Sequence, residues 1–471
     1  MNRTMLVPMV VAAALFMENM DSTVIATSLP AIASDLGQNP VTLKLAFTAY
    51  LLSLAVFIPV SGWAADRFGA RTVFQCAMAI FTVGSMGCGM AHSLGWLVAC
   101  RVLQGMGGAM MAPVARLIVL KVVPRHELLS AIAYLTVPAL IGPMIGPPLG
   151  GFITTYAHWR WIFWINVPVC VLGVALAAIF LPDVREDHPK RLDVNGFVLS
   201  ALGLGTLMFG ATLLGQAIAP RAVVAALLLV GLASTGLYFV HARRVESPIL
   251  DLRLLSISTF RSSVLGGFLF RIGIGAIPFL LPLMLQLGFG LNPFETGTLT
   301  FSAAAGALLM KVAAQPILRW LGFRRVLVGN ALISAVLLAT CALFTPTTPH
   351  LLILAALLVG GFLRSLQFTA LNAIVFADVD PAEMSAATVL STVAQQLSLS
   401  FGVAVAAWVL ELAEAARGTS VLAVEDYALA FIVISAIAAT SAIVHARLPN
   451  GAGAALVTPR SPAPTLPAST A

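Results

Sequence analysis

Glu18 and Asp21 lie three residues apart in an otherwise apolar run, so on a helix they share one face. Two carboxylates close together in a low-dielectric setting raise each other's proton affinity. Such a pair can carry a proton, charged where water reaches it and neutral where it is sealed; the other reading is a structural partner for Arg101 or Arg116. Arg101 stands in a second apolar run, with Gln104 and the small residues Gly105, Gly107 and Gly108 following it. A guanidinium in hydrocarbon is costly unless paired or hydrated, so Arg101 either reaches the outer surface or faces a polar pocket. Arg271, Lys311 and Arg364 fall in three further apolar runs that hold no deep acid. They either line a wet cavity, where they could hold an anionic group, or pair with Glu18 or Asp21 across the midline. Asn372, Gln395 and Gln396 are uncharged polar groups in the same kind of setting, able to bind a ligand or to join helices. The candidate ligand-binding set is Gln104, Arg271, Lys311, Arg364, Asn372 and Gln395, and the candidate proton carriers are Glu18 and Asp21.

The elements that hold these groups follow from composition. The chain has 471 residues, 59% hydrophobic and 10% charged, with a mean hydropathy of +0.98. A soluble protein carries about 25% charged residues, so lipid must replace water around most of this one. Runs of about 20 apolar residues span a bilayer as helices. Fourteen occur, at 6–30, 43–64, 72–91, 95–120, 128–154, 159–181, 194–216, 222–242, 261–287, 296–318, 325–345, 350–376, 385–412 and 427–446. The expected class is an all-α polytopic membrane protein. The five cysteines lie inside apolar runs without disulfide or metal spacing, and the seven histidines sit at run ends or in loops. No metal and no cofactor is expected. The nucleophile, phosphate-loop and zinc-protease patterns G-x-S-x-G, G-x-x-x-x-G-K and H-E-x-x-H are missing from the sequence, so neither an enzyme nor a sensor with a soluble output domain is the expectation.

Charge position sets orientation. With the N-terminus in the cytoplasm, seventeen Lys and Arg fall in inside segments and four in outside segments. That bias follows the positive-inside rule, places both termini in the cytoplasm, and accounts for the net charge of +7 without nucleic acid. Polar linkers divide the chain into an N-terminal bundle (1–182), a cytoplasmic linker with two extra spans (183–246), a C-terminal bundle (247–447) and a disordered cytoplasmic tail (448–471).

Two motifs read as moving parts. Between the second and third spans, Gly62, Asp66, Arg67, Gly69 and Arg71 form a short charged loop that can latch the cytoplasmic face, or simply be a solvated turn. Arg319 to Arg324 occupies the matching place in the second half, a weak internal repeat. In the fifth span Gly142, Gly146 and Gly150 recur every four residues, among Pro143, Pro147 and Pro148. The bare face admits a neighbouring helix and the prolines loosen the backbone, so the segment serves close packing, a hinge, or both.

These segments together resemble the major facilitator superfamily, in its fourteen-span drug:proton antiporter branch (EmrB/QacA-like) and there the MdtD/HsrA-type exporters. The resemblance rests on D-S-T-V-I-A-T-S-L-P-A-I-A (21–33), S-G-W-A-A-D-R-F-G-A-R (61–71), R-V-L-Q-G-M-G-G-A-M-M-A-P-V-A-R-L (101–117), I-G-P-M-I-G-P-P-L-G-G (141–151) and W-I-F-W-I-N-V-P (161–168). In the second half, P-L-M-L-Q (282–286) and Q-Q-L-S-L-S-F-G-V (395–403) extend it. It implies a fold of two six-helix bundles plus two linker helices, and proton-driven export of multidrug or amphipathic compounds from a bacterial inner membrane. Organic anions, including metal-carboxylate chelates, are the second substrate class, suggested by the cations of the C-terminal half. The resemblance implies that 62–71 is the cytoplasmic gate, that Arg101 belongs to the proton-coupling span, and that 142–151 seals the resting cavity. Asp21 matches the first-span acid of the branch, whereas Glu18 stands where relatives usually have Gln. Partners are protons, a small-molecule substrate and lipid, with a periplasmic adaptor protein as the alternative to a plain monomer.

Overall fold

The computed structural model describes residues 3–123, 128–185, 191–214, 220–380, 383–418 and 422–456. Among them every regular element is helical. Thirteen helices are long and apolar enough to cross a membrane. In the first half they are α1 (Leu6–Asp35), α2 (Lys44–Phe68), α3 (Ala70–Gly89), α4 (Leu94–Val122) and α6 (Trp161–Phe180). α7 (Val194–Leu213) and α8 (Arg221–Ala242) follow, then α9 (Ser258–Gly288), α10 (Pro293–Leu321), α11 (Phe323–Leu343), α12 (His350–Ile374), α13 (Met384–Arg417) and α14 (Val424–His445). α5 (Leu128–Tyr156), 29 residues without a charged side chain, completes the fourteen. All fourteen expected spans are therefore present.

The chain forms two six-helix bundles, α1–α6 and α9–α14, with α7 and α8 as an added pair. α7 and α8 pack on each other, and α7 also lies on α2. Trp408 of α13 donates from Nε1 to the Ala211 carbonyl of α7 at 2.8 Å, which ties the pair to the second bundle as well. The outer side of α8 is apolar and exposed, as at Leu229 and Leu232, which suits lipid contact. The two bundles meet along α5 with α10 and along α2 with α13.

The turns follow local chemistry. α2 ends at Gly69 (φ +92°) and α3 begins at the next residue. α10 ends at Gly322 (φ +76°) with α11 directly after. Both are one-residue turns in a backbone region that suits glycine, which gives the weak internal repeat a structural counterpart. In α1, Pro30 has no N–H for the fourth residue back, and the helix tightens to a 3-10 turn at Ile25–Ser28. α5 by contrast stays one helix across Pro138, Pro143, Pro147 and Pro148.

Of the segment expected to be a disordered tail, residues 448–456 fold against α11. Leu448 is buried, Arg324 donates to Asn450, and Gly453 lies against the Phe323 ring. Residues 457–471 lie outside the described residues.

Candidate functional site

One end of the molecule, the basic end, carries Arg67, Arg71, Lys121, Arg253, Arg319 and Arg447. In the half of the first bundle away from the basic end, a polar cluster is sealed in an apolar core. Asp21 of α1, Arg101 and Gln104 of α4, Asn166 of α6 and Ser85 of α3 are all fully buried, each at 0% exposure. The Arg101 guanidinium donates through one nitrogen to Asp21 Oδ2 and to Gln104 Oε1, both at 2.7 Å. Asp21 Oδ1 accepts from Gln104 Nε2 at 2.9 Å and from Asn166 Nδ2 at 2.7 Å. Asn166 also donates to Ser85 Oγ, whose hydroxyl donates to the Phe163 carbonyl. The Tyr50 ring lies under the guanidinium carbon at 4.2 Å. Asp21 thus receives three donors and one full counter-charge, the terms that make an ion stable away from water.

Glycine makes this possible. A Cβ at Gly105 would stand 2.7 Å from the Tyr50 carbonyl oxygen, and one at Gly107 2.6 Å from the Phe81 nitrogen. α4 therefore rests directly on the backbones of α2 and α3, and Arg101 reaches α1. Gly105 and Gly107 serve this packing rather than a pocket, and Gln104 belongs to the sealed cluster and not to the cavity wall.

A cavity of about 710 Å³ opens between the two bundles. It extends from Glu18, Gly108 and Gln395 toward Lys121 and Met384 at the basic end. That volume is within the range of small-molecule sites, about 300–1,000 Å³. Its first-bundle wall carries Glu18 and Arg116; its second-bundle wall carries Arg271, Asn372, Thr392, Gln395 and Gln396. Glu18 Oε2 is buried without a hydrogen bond. Arg271 is 4% exposed, donates to Asn372 Oδ1 at 3.3 Å, stands over the Phe368 ring at 5.3 Å, and leaves Nε without a partner. Glu18 and Asp21 share a helix face as expected, yet only Glu18 meets the cavity. Lys311 and Arg364 do not line it: Lys311 is exposed and donates to Thr369 at 3.3 Å, and Arg364 lies against Gly360.

The opposite end is shut. A Cβ at Gly142 would lie 2.6 Å from the Phe16 carbonyl oxygen of α1, at Gly146 3.0 Å from Thr23 Cβ, and at Gly150 2.9 Å from Val24 Cγ2. The other side of α5 meets α10: a Cβ at Gly151 would be 2.8 Å from the Pro293 carbonyl carbon, and one at Gly297 2.9 Å from Pro148 Cα. Pro143 stays inside the continuous helix. Phe152, Tyr156 and Phe294 close over this seam, and Gln286 donates to the Thr27 carbonyl at 2.8 Å. On the other seam Lys44 of α2, fully buried, donates to Glu411 Oε1 of α13 at 2.7 Å.

At the basic end, Gly69 is covered by the segment after α6. Ala70 donates its N–H to the Val184 carbonyl at 2.9 Å, and a Cβ at Gly69 would fall 3.1 Å from the Asp183 carboxyl carbon. Asp66 pairs with Lys121 of α4 at 3.7 Å. Gly62 is a cavity-wall residue, while Arg67 is exposed and Arg71 half-buried.

Sequence reasoning missed Asn166, Ser85 and the Lys44–Glu411 pair. Asn166 could have been found as an amide in an apolar span. Lys44 reads as a loop charge because its partner is 367 residues away.

The family model described as Major Facilitator Superfamily matches residues 11–241 and 263–469. A provisionally named multidrug resistance protein MdtD of Yersinia enterocolitica serotype O:8 / biotype 1B is 37% identical over 459 residues, 96% of this chain and 97% of that protein. The similarly named protein of Pectobacterium carotovorum subsp. carotovorum is 39% identical over 400 residues, 84% and 85% of the two chains. Among solved structures, a D-xylose-proton symporter superposes with a TM-score of 0.68 at 13% identity, over 96% of this chain and 99% of the other. A bacterial homolog of the human lysosomal transporter Spinster, inward-facing and unoccupied, gives 0.64 at 15% identity, over 94% and 96%. At such identities the likeness is one of fold.

Proposed function

The chain belongs to the Major Facilitator Superfamily, and on that footing we propose that it is a proton-coupled antiporter that exports amphipathic small molecules by alternating access. The positive-inside bias supports placing the basic end and both termini in the cytoplasm, with the protein in a bacterial inner membrane. The cavity is then open inward and sealed outward, ready to load from the cytoplasm or the inner leaflet. Residues 1–182, 183–246 and 247–447 are the proposed bundle, linker and bundle.

The observation that carries this reading is the sealed cluster of Asp21, Arg101, Gln104 and Asn166. A proton on Asp21 removes the counter-charge of a fully buried guanidinium. Leaving one member of a buried pair uncompensated costs about 3–5 kcal/mol, enough to favour a state in which water or another acid reaches Arg101. Proton binding is thereby tied to a change of shape, which is what coupling requires. Glu18, on the same helix face and in the cavity wall, is the proposed second titrating group. The glycine face of α5, with Pro143 and Pro147, is the proposed hinge and outer seal. Loop 62–71 is the proposed inner gate. Arg271, Asn372 and Gln395 are the proposed substrate contacts.

The organic-anion alternative drew on three cations, and of these Arg271 is the one in the cavity wall. The test is pH-gradient-driven uptake into inside-out vesicles with a panel of cationic dyes and organic acids. The proposal expects uptake of at least one class that collapses with a protonophore; uptake indifferent to the gradient for every transported compound would refute it.

A further inference from the structure

The cavity presents two opposite charges on two different walls. Glu18 belongs to α1 of the first bundle, Arg271 to α9 of the second, and both line the same space of about 710 Å³. Each has a buried polar atom with nothing bound to it, Oε2 of Glu18 and Nε of Arg271. Buried polar atoms are normally satisfied, and unsatisfied ones mark places where a ligand or water completes the set. Neither charge is neutralised by the other bundle: the hydrogen-bond partner of Arg271 is the Asn372 amide, a neutral group. Arg116 shares the wall with Glu18 and acts on its carboxyl as a nearby positive charge, yet Glu18 Oε2 has no hydrogen-bond partner. The surface between the charges is supplied by amides and hydroxyls of α13, Gln395, Gln396 and Thr392, together with apolar side chains such as Ile58, Val264 and Val375.

We infer that the preferred substrates are amphoteric amphiphiles, compounds with a basic amine and an acidic group on one apolar body. The ammonium lies against Glu18 and the carboxylate against Arg271, so that one molecule bridges the two bundles. A purely cationic compound leaves the Arg271 guanidinium without an acid, and a purely anionic one leaves Glu18 Oε2 without a donor. An unpaired buried charge is a strong discriminator. The inference rests on the cavity being the substrate site of the transporter proposed above.

The test uses equilibrium binding, so that a failure of proton coupling leaves it readable. The full-length protein in nanodiscs is titrated with a fluoroquinolone bearing a piperazine ammonium and a carboxylate, with its ethyl ester, and with its N-acetyl derivative. The wild type should bind the parent about ten- to a hundredfold more tightly than either derivative, the usual span for one charge-assisted hydrogen bond. Arg271→Gln should bring the parent down to the ester's affinity while leaving the ester unchanged, and Glu18→Gln should do the same with respect to the N-acetyl derivative. An ester or N-acetyl derivative that binds the wild type as tightly as the parent overturns the inference, and needs no variant to fold. A uniform loss across all three compounds in either variant overturns it too, since that is the signature of a structural role.

Discussion

Lys44 and Glu411 join α2 to α13 at the closed end, and removing one of them should open it. Lys44 is fully buried and its partner's side chain is 15% exposed, at an Nζ–Oε1 distance of 2.7 Å. Breaking a buried pair from one side costs about 3–5 kcal/mol; the partial exposure of Glu411 lowers this to about 2–3 kcal/mol. Glu411→Gln leaves the ammonium uncompensated only while the two bundles touch, because water reaches it once they part. The closed-to-open ratio at that end should therefore fall about 30- to 150-fold. Glu414 lies one turn along α13 and could take over Lys44, so Lys44→Met is measured beside it. The apolar double variant Lys44→Met/Glu411→Leu should shift the ratio far less than the sum of the two single changes, since a matched apolar pair replaces a buried ion pair at little cost. The assay is pulsed electron resonance between spin labels at Gln38 and Thr347, both exposed on opposite bundles, in a background with the five cysteines replaced. Wild-type distance distributions in both single variants would refute the reasoning, as would strict additivity in the double variant.

Gly297→Val should also disfavour closure, because its first side-chain atom falls 2.9 Å from Pro148 Cα; overpacking of about 1–3 kcal/mol should lengthen the same label distance and slow transport. Gly69→Ala combines a φ of +92° with the Asp183 carboxylate overhead, so the melting temperature in detergent should fall. Asp183→Ala should restore only the steric part of that loss, and a full restoration would argue against backbone strain.

What the sequence made legible was what hydrocarbon penalises. Span number follows from apolar length, and Asp21 and Arg101 stand out because a lone charge in lipid is expensive. Rotation of a helix about its axis is a different matter. Arg271, Lys311 and Arg364 look alike as cations in apolar runs, yet the first faces the cavity, the second is exposed beside Thr369, and the third lies against Gly360. Only packing of each helix against its neighbours decides that. Gln104 shows the same limit: one face of α4 holds both the sealed cluster and the approach to the cavity, and Gly105 and Gly107 bring the helix so close to α2 and α3 that the amide is enclosed. Lys44 was hidden by sequence distance, since a charge at the edge of a span reads as a loop residue until its partner on α13 is known.

The central claim is that protonation of Asp21 against Arg101 couples the proton to the change of shape. The most direct measurement is proton release or uptake on substrate addition to purified protein in a weakly buffered solution with a pH indicator, for the wild type and Asp21→Asn at matched substrate occupancy. A substrate-dependent proton signal is expected from the wild type, a smaller one from Asp21→Asn, in which Glu18 still titrates, and none from Asp21→Asn/Glu18→Gln. An undiminished signal from Asp21→Asn would place the coupling proton elsewhere.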